Sequence, residues 1–269
     1  MFGSQSEIVY FSFYALLPGA LILYYVYSRD RFPEPPRVVF LTFILGAGTI
    51  LPITIFIPII EGLSENFALS VFGADFYMSF LRAAFLEESA KWLVLILFCV
   101  KSKEFNEPMD AIVYGVAASL GFATYENWEY ITIALSESTN NASTVAWLRA
   151  FTAIPLHALA GIFMGFFLLS TIFDREYKKL NLFLSLFFPI CLHGIYNLIL
   201  ISNDISHQYI FLLLVLMAIR AYFIFRNLRA KQNERAIESQ EVMNQILTPD
   251  IFFTLISSFV IVFTLSFVI

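Results

Sequence analysis

Charged residues are scarce in this chain of 269 residues: they make up 14% of it, against about 25% in an average soluble domain. Hydrophobic residues account for 59%, and the mean hydropathy is +0.77. No block of basic residues is present, which excludes the charge pattern of a nucleic-acid-binding protein. The two cysteines, Cys99 and Cys191, both lie in apolar runs. A disulfide framework and a Cys-x-x-Cys metal pair are therefore excluded as well.

Long apolar runs fill most of the chain. Several approach or exceed the roughly 20 residues that an α-helix needs to cross a bilayer. They are continuous, whereas the strands of a transmembrane barrel alternate apolar and polar residues. The sequence therefore predicts an all-α fold, a polytopic transmembrane helical bundle. About eight spans are predicted, at residues 8–27, 38–60, 77–100, 109–133, 147–173, 181–201, 209–226 and 250–269.

Lysine and arginine alternate between the two sides of the predicted membrane. The number of Lys and Arg residues in each connection alternates between zero and two to four. There are none before the first span, three in 28–37, none in 61–76, two in 101–108, none in 134–146, three in 174–180, none in 202–208 and four in 226–249. Because short loops rich in Lys and Arg stay in the cytoplasm, both termini are predicted to be non-cytoplasmic. We expect a multi-pass protein of the cell membrane.

One helical membrane domain is predicted over residues 1–226. Residues 227–249 form the one sizeable polar segment and are predicted to be a short cytoplasmic helix, and residues 250–269 an additional C-terminal span. The first span has no preceding Lys or Arg and no small-residue cleavage site. It is therefore expected to remain as an anchor, unlike a signal peptide.

A few polar side chains interrupt the apolar runs, although a charged group near the bilayer centre costs about 2.5–3.5 kcal/mol. They are Glu87, Glu88 and Lys91 in the third span, Glu126 and Asn127 in the fourth, His157 in the fifth, and His193 and Asn197 in the sixth. At about 1.5 Å per helical residue, Glu126 lies roughly 9 Å below the outer face, Glu87 and Glu88 roughly 15 Å, and His157 and His193 roughly 12–15 Å. Four spans thus place polar groups in the outer half of the membrane, which indicates one shared site.

Several of these residues also have a purely structural interpretation. Lys91 follows Glu88 by three residues and Glu87 by four, the spacing of an ion pair on a helix. Adjacent glutamates point about 100° apart, so we expect one to face the site and the other to bond to Lys91 or to a neighbouring helix. A histidine in a membrane helix can serve as an interhelical hydrogen-bonding group. Arg149, near the outer boundary, is predicted to extend to the lipid headgroups.

These side chains favour hydrolysis by a water molecule that glutamate and histidine hold and activate. A buried glutamate can act as a general base, while His193 and Asn197, which share one helix face, could supply donors for an oxyanion. Alternatively, Glu126, His157 and His193 could bind a zinc ion that activates the water. The sequence has no H-E-x-x-H, no G-x-S-x-G and no pair of intramembrane aspartates. The usual zinc, serine and aspartyl protease classes are therefore disfavoured.

Four motifs on four predicted spans resemble the PrsW family of intramembrane proteases. They are Glu87-Glu88-x-x-Lys91, the G-F-A-T-Y-E-N segment that ends at Asn127, His157-Ala158, and His193-x-x-x-Asn197. The loop from Asp30 to Pro36 resembles the family's acidic, proline-rich loop with an altered residue order. The resemblance covers residues 10–225. It implies membership of the larger group that includes the CAAX prenyl endopeptidases and the Abi-type bacterial immunity proteins.

The resemblance implies an endopeptidase that cuts a single-span membrane protein, such as an anti-sigma factor, near its extracytoplasmic boundary. The mechanism it implies is either glutamate-dependent with no cofactor or zinc-dependent, and the sequence does not decide between them. The expected catalytic residues, with Lys91 and Asn127 in support, are Glu87, Glu88, Glu126, His157, His193 and Asn197.

Two other functions stay open. Buried Glu and His relays also occur in proton-coupled transporters and channels, although no inverted repeat typical of transporters is present. A catalytically inactive immunity or scaffold protein would keep the fold without the activity. In each case the partner is the lipid bilayer and no nucleic acid is expected.

Overall fold

The computed structural model describes residues 5–67, 69–173, 177–232 and 248–268. The regular elements in these ranges are all helical, which confirms the predicted all-α class. The α-helices are α1 (Gln5–Ser28), α2 (Pro36–Gly48), α3 (Ile50–Glu65), α4 (Val71–Phe76), α5 (Leu86–Val94), α6 (Pro108–Glu137), α7 (Thr139–Phe151), α8 (Ala153–Phe173), α9 (Lys178–Ile201), α10 (Gln208–Lys231) and α11 (Thr248–Val268). Two π-helical stretches, Tyr77–Phe85 and Leu95–Cys99, precede and follow α5.

In the described part of the chain, five helical stretches are long and apolar enough to cross a membrane. They are Ser6–Ser28, Pro36–Glu65, Thr139–Phe173, Lys178–Ile201 and Gln208–Ala230, and Asp250–Ser266 is a shorter apolar helix. The predicted third and fourth spans are also helical, over residues 71–99 and 108–137, but they carry most of the ionisable residues noted above. The number of membrane crossings and the sidedness of the termini stay predictions.

Proline divides two of the predicted spans. Pro52 and Pro155 each lack the N–H that would bond to the carbonyl four residues earlier. Accordingly, α2 ends at Gly48 and α7 ends at Phe151. The predicted span at 38–60 is therefore two helices, and the predicted span at 147–173 combines the end of one helix with the whole of the next.

The prediction that residues 134–146 form a loop between two spans is wrong. α6 continues to Glu137 and α7 begins at Thr139, so Ser138 alone separates them. Ser138 has an extended backbone, and its hydroxyl accepts a hydrogen bond from the backbone N–H of Asn141 (3.1 Å). This N-terminal cap starts a new helix directly after the old one ends.

Glycines allow two helices to approach the backbone of α6. A Cβ atom added at Gly115 would lie 2.4 Å from the carbonyl oxygen of Gly161 on α8, and one added at Gly121 would lie 1.9 Å from that of Phe43 on α2. No larger side chain fits at such distances unless a helix moves. Close packing of small residues is a usual way to join helices in a membrane. α6 is thus the central helix of the bundle.

The predicted boundary between a membrane domain at 1–226 and a polar segment at 227–249 falls inside a helix. α10 continues past this point to Lys231, and Gln232 follows it as a buried residue. Residues 233–247, which make up most of the predicted cytoplasmic segment, lie outside the described residues.

The start of α6 is acidic and buried. Asp110, in the first helical turn, accepts hydrogen bonds at Oδ2 from the backbone N–H groups of Asn106 and Glu107, both 2.7 Å long. Burial raises the pKa of Glu107 to about 7, and the neighbouring carboxylate of Asp30 acts in the same direction. The predicted fourth span begins at residue 109, next to Asp110, and nothing in the sequence indicated this burial.

Candidate active site

A cavity of about 370 Å³ lies among α3, α6, α8, α9 and the helical stretch that leads into α5. Five of the predicted catalytic residues line it: Glu87, Glu126, His157, His193 and Asn197. The four predicted spans therefore bring their polar groups together, as the shared depth indicated. The isoleucines of α3 form an apolar wall that the sequence did not predict.

Glu88 holds α5 against α9. Its Oε1 accepts hydrogen bonds from Nζ of Lys91 (2.6 Å) and from Nδ1 of His193 (2.8 Å). The side chains of Glu88 and Lys91 are fully buried, at 0% exposure. Nζ of Lys91 also lies 3.1 Å from Nδ1 of His157 and 4.4 Å from the ring centre of Phe122. Glu88 and Lys91 are therefore positioning residues for both histidines.

Glu87 faces the cavity. It is 8% exposed, and its Oε2 has no hydrogen-bond partner among the described residues. The nearest ionisable partner is His193, whose Nδ1 lies 3.8 Å away. Because successive side chains on a helix point about 100° apart, the two adjacent glutamates separate as predicted. Glu87 lines the cavity, and Glu88 bonds to Lys91 and α9.

Arg149 lies inside the bundle, so its predicted place at the lipid headgroups is wrong. Its Nη2 donates to Oε2 of Glu126 (2.5 Å), and its Nε donates to Oδ1 of Asn127 (2.6 Å). The guanidinium also lies 4.1 Å from the ring centre of Tyr130. The cause is α7: since it is a helix that folds back along the end of α6, it places Arg149 beside Glu126. Asn127 supports the site by holding this arginine.

Hydrogen bonds assign the protons of the two histidines. Lys91 can only donate, so Nδ1 of His157 accepts, and its Nε2–H donates to Oε2 of Glu126 (3.2 Å). In His193, Nδ1–H donates to Glu88, whereas Nε2 has no hydrogen-bond partner among the described residues. The two ring centroids are 5.0 Å apart. His193 thus offers one nitrogen to the cavity, while both nitrogens of His157 are engaged.

The residues whose spacing would allow them to bind a metal ion differ from the predicted metal ligands Glu126, His157 and His193. Ligand atoms of Glu87, His157 and His193 lie within 4.8 Å of one another, whereas Glu126 is held by Arg149. A carboxylate and two imidazoles are ordinary zinc ligands. His157, however, would have to give up a hydrogen bond, because ligation needs a nitrogen lone pair. The donor types fit zinc, but the hydrogen bonding of His157 does not.

A buried carboxylate oxygen and an imidazole nitrogen, neither with a further hydrogen-bond partner among the described residues, belong to residues that line one cavity of an apolar helical bundle, an arrangement suited to an intramembrane hydrolase. Comparison with known proteins gives the family. A family model described as "PrsW family intramembrane metalloprotease" matches residues 34–223. The chain therefore belongs to the PrsW family of intramembrane proteases.

Individual relatives agree with this assignment. The protease PrsW of Bacillus subtilis (strain 168) is 35% identical over 229 residues, which cover 84% of this chain and 96% of that protein. The protease PrsW of Oceanobacillus iheyensis is 38% identical over 185 residues, or 69% of this chain and 80% of that protein. The protease PrsW of Clostridioides difficile (strain 630) is 34% identical over 208 residues, or 76% of this chain and 84% of that protein. No solved structure gives a significant match.

Proposed function

We propose that this chain is a glutamate-dependent endopeptidase that cuts a single-span membrane protein, such as an anti-sigma factor, near its extracytoplasmic boundary. The observation that carries the proposal is the buried Oε2 of Glu87, which has no hydrogen-bond partner among the described residues, in a side chain that lines the same cavity as His193 and Asn197. Membership of a protease family favours peptide hydrolysis over proton transport. The convergence of Glu87, Glu126, His157, His193 and Asn197 on one cavity favours an active enzyme over an inactive scaffold.

Glu87 takes the proton of the attacking water. Glu87 lines the cavity, and its Oε2 has no hydrogen-bond partner among the described residues. It can therefore accept a hydrogen bond from a water molecule that enters there, as a general base must. The water oxygen bonds to the carbonyl carbon of the scissile amide, and the proton moves to Glu87. When the C–N bond breaks, Glu87 gives this proton to the leaving nitrogen.

His193 and Asn197 stabilise the negative charge on the carbonyl oxygen. Among the charged side chains that the ion pairs around the two histidines connect, the three carboxylates of Glu87, Glu88 and Glu126 exceed the two cations Lys91 and Arg149 by one. In the proposed mechanism, a proton on Nε2 of His193 supplies one further positive charge. Nε2–H can then donate to the oxyanion while Nδ1–H stays on Glu88. Asn197 lies one turn further along α9, so its amide reaches the same side.

The family description includes a metal. Glu87, His157 and His193 would hold it, and a zinc ion there would polarise the water or the carbonyl as a Lewis acid. Because His157 already donates to Glu126 and accepts from Lys91, the proposal assigns activation of the water to Glu87 alone.

Substrate access follows from the shape of the cavity. Its lining extends to Ile133 on α6 and Leu200 on α9, close to where these helices end. In the predicted topology these ends face the exterior. A helical substrate keeps its carbonyls hydrogen-bonded, so cleavage should occur in the outermost turn of the substrate span or just outside it. Helix-breaking Gly or Pro there should accelerate cleavage.

The main test compares Glu87→Gln with Glu65→Gln, a control that removes an exposed carboxylate. Each variant is expressed in a deletion strain, and membrane proteomics identifies the proteins that accumulate. The substrate should accumulate with Glu87→Gln as in the deletion strain, with a cleavage rate at least about 100-fold lower. It should be processed normally with Glu65→Gln. Normal processing by Glu87→Gln at equal expression would overturn the mechanism.

Sidedness is tested by labelling single cysteines in a background in which Cys99 and Cys191 are replaced. Cysteines at Ser70 and Ser138 should react with an impermeant thiol reagent in intact cells, and a cysteine at Ser102 should not. Mass spectrometry of the product termini gives the cut position independently. The reverse labelling pattern, or a cut on the cytoplasmic side, would place the cavity in the inner half of the membrane and favour a prenylated type of substrate.

A further inference from the structure

A second group of buried carboxylates lies at the opposite end of α6 from the active site. It consists of Asp30 and Glu34, in the connection between α1 and α2, and of Glu107 and Asp110 at the start of α6. Each of the four is at most 8% exposed. Asp110 precedes Glu126 by 16 residues, so about 24 Å of helix separates this acidic cluster from the active site.

The hydrogen-bond donors to the acidic cluster are neutral. Nε2 of Gln232 donates to Oδ1 of Asp30 (2.7 Å) and to Oε1 of Glu107 (2.8 Å). The hydroxyl of Tyr114 donates to Oε2 of Glu34 (2.6 Å). Over the described ranges, no lysine or arginine forms an ion pair with any of the four acids. Neutral donors solvate the carboxylates but do not balance their charge.

Two oxygens of the acidic cluster have no partner at all. Oδ2 of Asp30 and Oδ1 of Asp110 are buried without a hydrogen bond among the described residues. Ligand oxygens of Asp30, Glu107 and Asp110 lie within 4.8 Å of one another. A buried polar atom without a partner is costly. Side chains from two separate segments thus bring carboxylate oxygens together, and two of these three residues also carry an unsatisfied oxygen.

We infer that the acidic cluster binds a hard divalent cation, Mg²⁺ or Ca²⁺, through Asp30, Glu107 and Asp110. Carboxylate oxygens alone select hard cations, whereas imidazole or thiolate ligands would select zinc or other transition metals. The cation supplies the positive charge that the cluster lacks. It joins the α1–α2 connection to the start of α6, and Gln232 brings the end of α10 to the same place.

The test uses the full chain, purified in detergent and stripped of metal with a chelator that is then removed. Thermal unfolding is followed while MgCl2 or CaCl2 is added in separate titrations, and calorimetry gives the stoichiometry. We expect saturable binding of one ion, with Tm higher by about 5–10 °C at a hundredfold excess over Kd. The ion with the lower Kd identifies the native ligand class.

Variants locate the ion. Asp110→Asn and Asp30→Asn each remove one ligand charge and should raise the Kd for the ion at least tenfold. The rise in Tm should then require a correspondingly higher ion concentration. Glu87→Gln and Glu65→Gln should keep the full response, because they lie outside the acidic cluster. If the unmodified chain shows no saturable response to either ion, the inference is wrong, whatever the variants do. An undiminished response in both aspartate variants would overturn it as well. Neither result depends on protease activity.

Discussion

α6 carries a buried polar cluster at each end, and the two clusters balance their charge in different ways. Near its C-terminal end, Glu126 and the glutamates of α5 face two buried cations, Lys91 and Arg149. At its start, the donors to the four acids among the described residues are only amide, phenol and backbone groups. The protein thus satisfies one cluster with its own side chains and leaves the other to an external charge.

This difference explains why only one of the two clusters is suited to catalysis. Glu88 and Glu126 are bound to cations, and they in turn hold His193 and His157. Two carboxylate oxygens there have no hydrogen-bond partner among the described residues, Oε2 of Glu87 and Oε2 of Glu88, and of these two glutamates only Glu87 lines the cavity. A rigid surrounding shell around one open base is what proton transfer requires. The acidic cluster has no such division of roles.

The largest expected effect comes from breaking the internal balance of the active site. Glu88→Gln leaves Lys91 buried without its partner, and removal of one member of a buried ion pair costs about 3–5 kcal/mol. We expect the free energy of unfolding in detergent to fall by about that amount. Glu65→Gln, at an exposed position, should change it by less than about 0.5 kcal/mol. Equal stabilities for the two variants would show that the pair contributes nothing.

A smaller loss of stability should follow from a substitution that forces α6 away from α8. Gly115→Ala places a methyl group 2.4 Å from the carbonyl oxygen of Gly161, and forced overpacking costs about 1–3 kcal/mol. Gly62→Ala is the matched control, since nothing lies within 4 Å of its added Cβ. It should be neutral or stabilising by up to about 1 kcal/mol. Thermal unfolding of both variants measures the difference, and similar behaviour would contradict close packing at Gly115.

The acidic cluster should respond to pH when no divalent ion is present. The pKa of Glu107 is raised to about 7 from an ordinary value of 4.5, so the folded chain holds this proton more tightly than the unfolded chain. The stability it contributes is therefore complete below about pH 4.5 and is lost as the pH rises through about 7. In chelator-treated buffer, Tm should fall over this range. Glu107→Gln should make the slope shallower, and an unchanged slope would assign it to another group.

The smallest expected effect is that of chelation on proteolysis. If Glu87 activates the water directly, o-phenanthroline should change the cleavage rate by less than about twofold, since His157 is engaged on both nitrogens. Purified chain and a tagged single-span substrate in detergent allow this measurement. Loss of activity that zinc restores would reject the metal-free mechanism and make Glu87, His157 and His193 the ligands.

Much of the active site is readable in the sequence because the membrane makes polar residues conspicuous. An ionisable group in an apolar run is costly, so Glu87, Glu126, His157 and His193 stand out without any structure. Their shared depth follows from the rise of a helix. The 100° between neighbouring side chains also predicts that Glu87 and Glu88 take different partners.

Arg149 was missed because its partner depends on the path of the chain. At the predicted membrane boundary, the charge of Arg149 can be solvated by the lipid headgroups, so the sequence does not call for a protein partner. Residues 134–146, which precede it, are rich in Asn, Ser and Thr, and this composition favours a loop. A pattern of Ser138 as helix cap followed by Pro155 could have indicated a separate helix at 139–151.

The sequence by itself determined that the chain is helical, that it belongs in a membrane, and which four segments carry the reactive groups, because composition and helical period are local properties. Tertiary structure alone decided that Arg149 pairs with Glu126, that Glu87 keeps an oxygen without a partner among the described residues, and that Asp30 meets Glu107 and Asp110. These outcomes depend on contacts between residues far apart in the chain. The energy of a buried charge is set by whatever lies within a few ångströms of it, and only the packing of the helices fixes that.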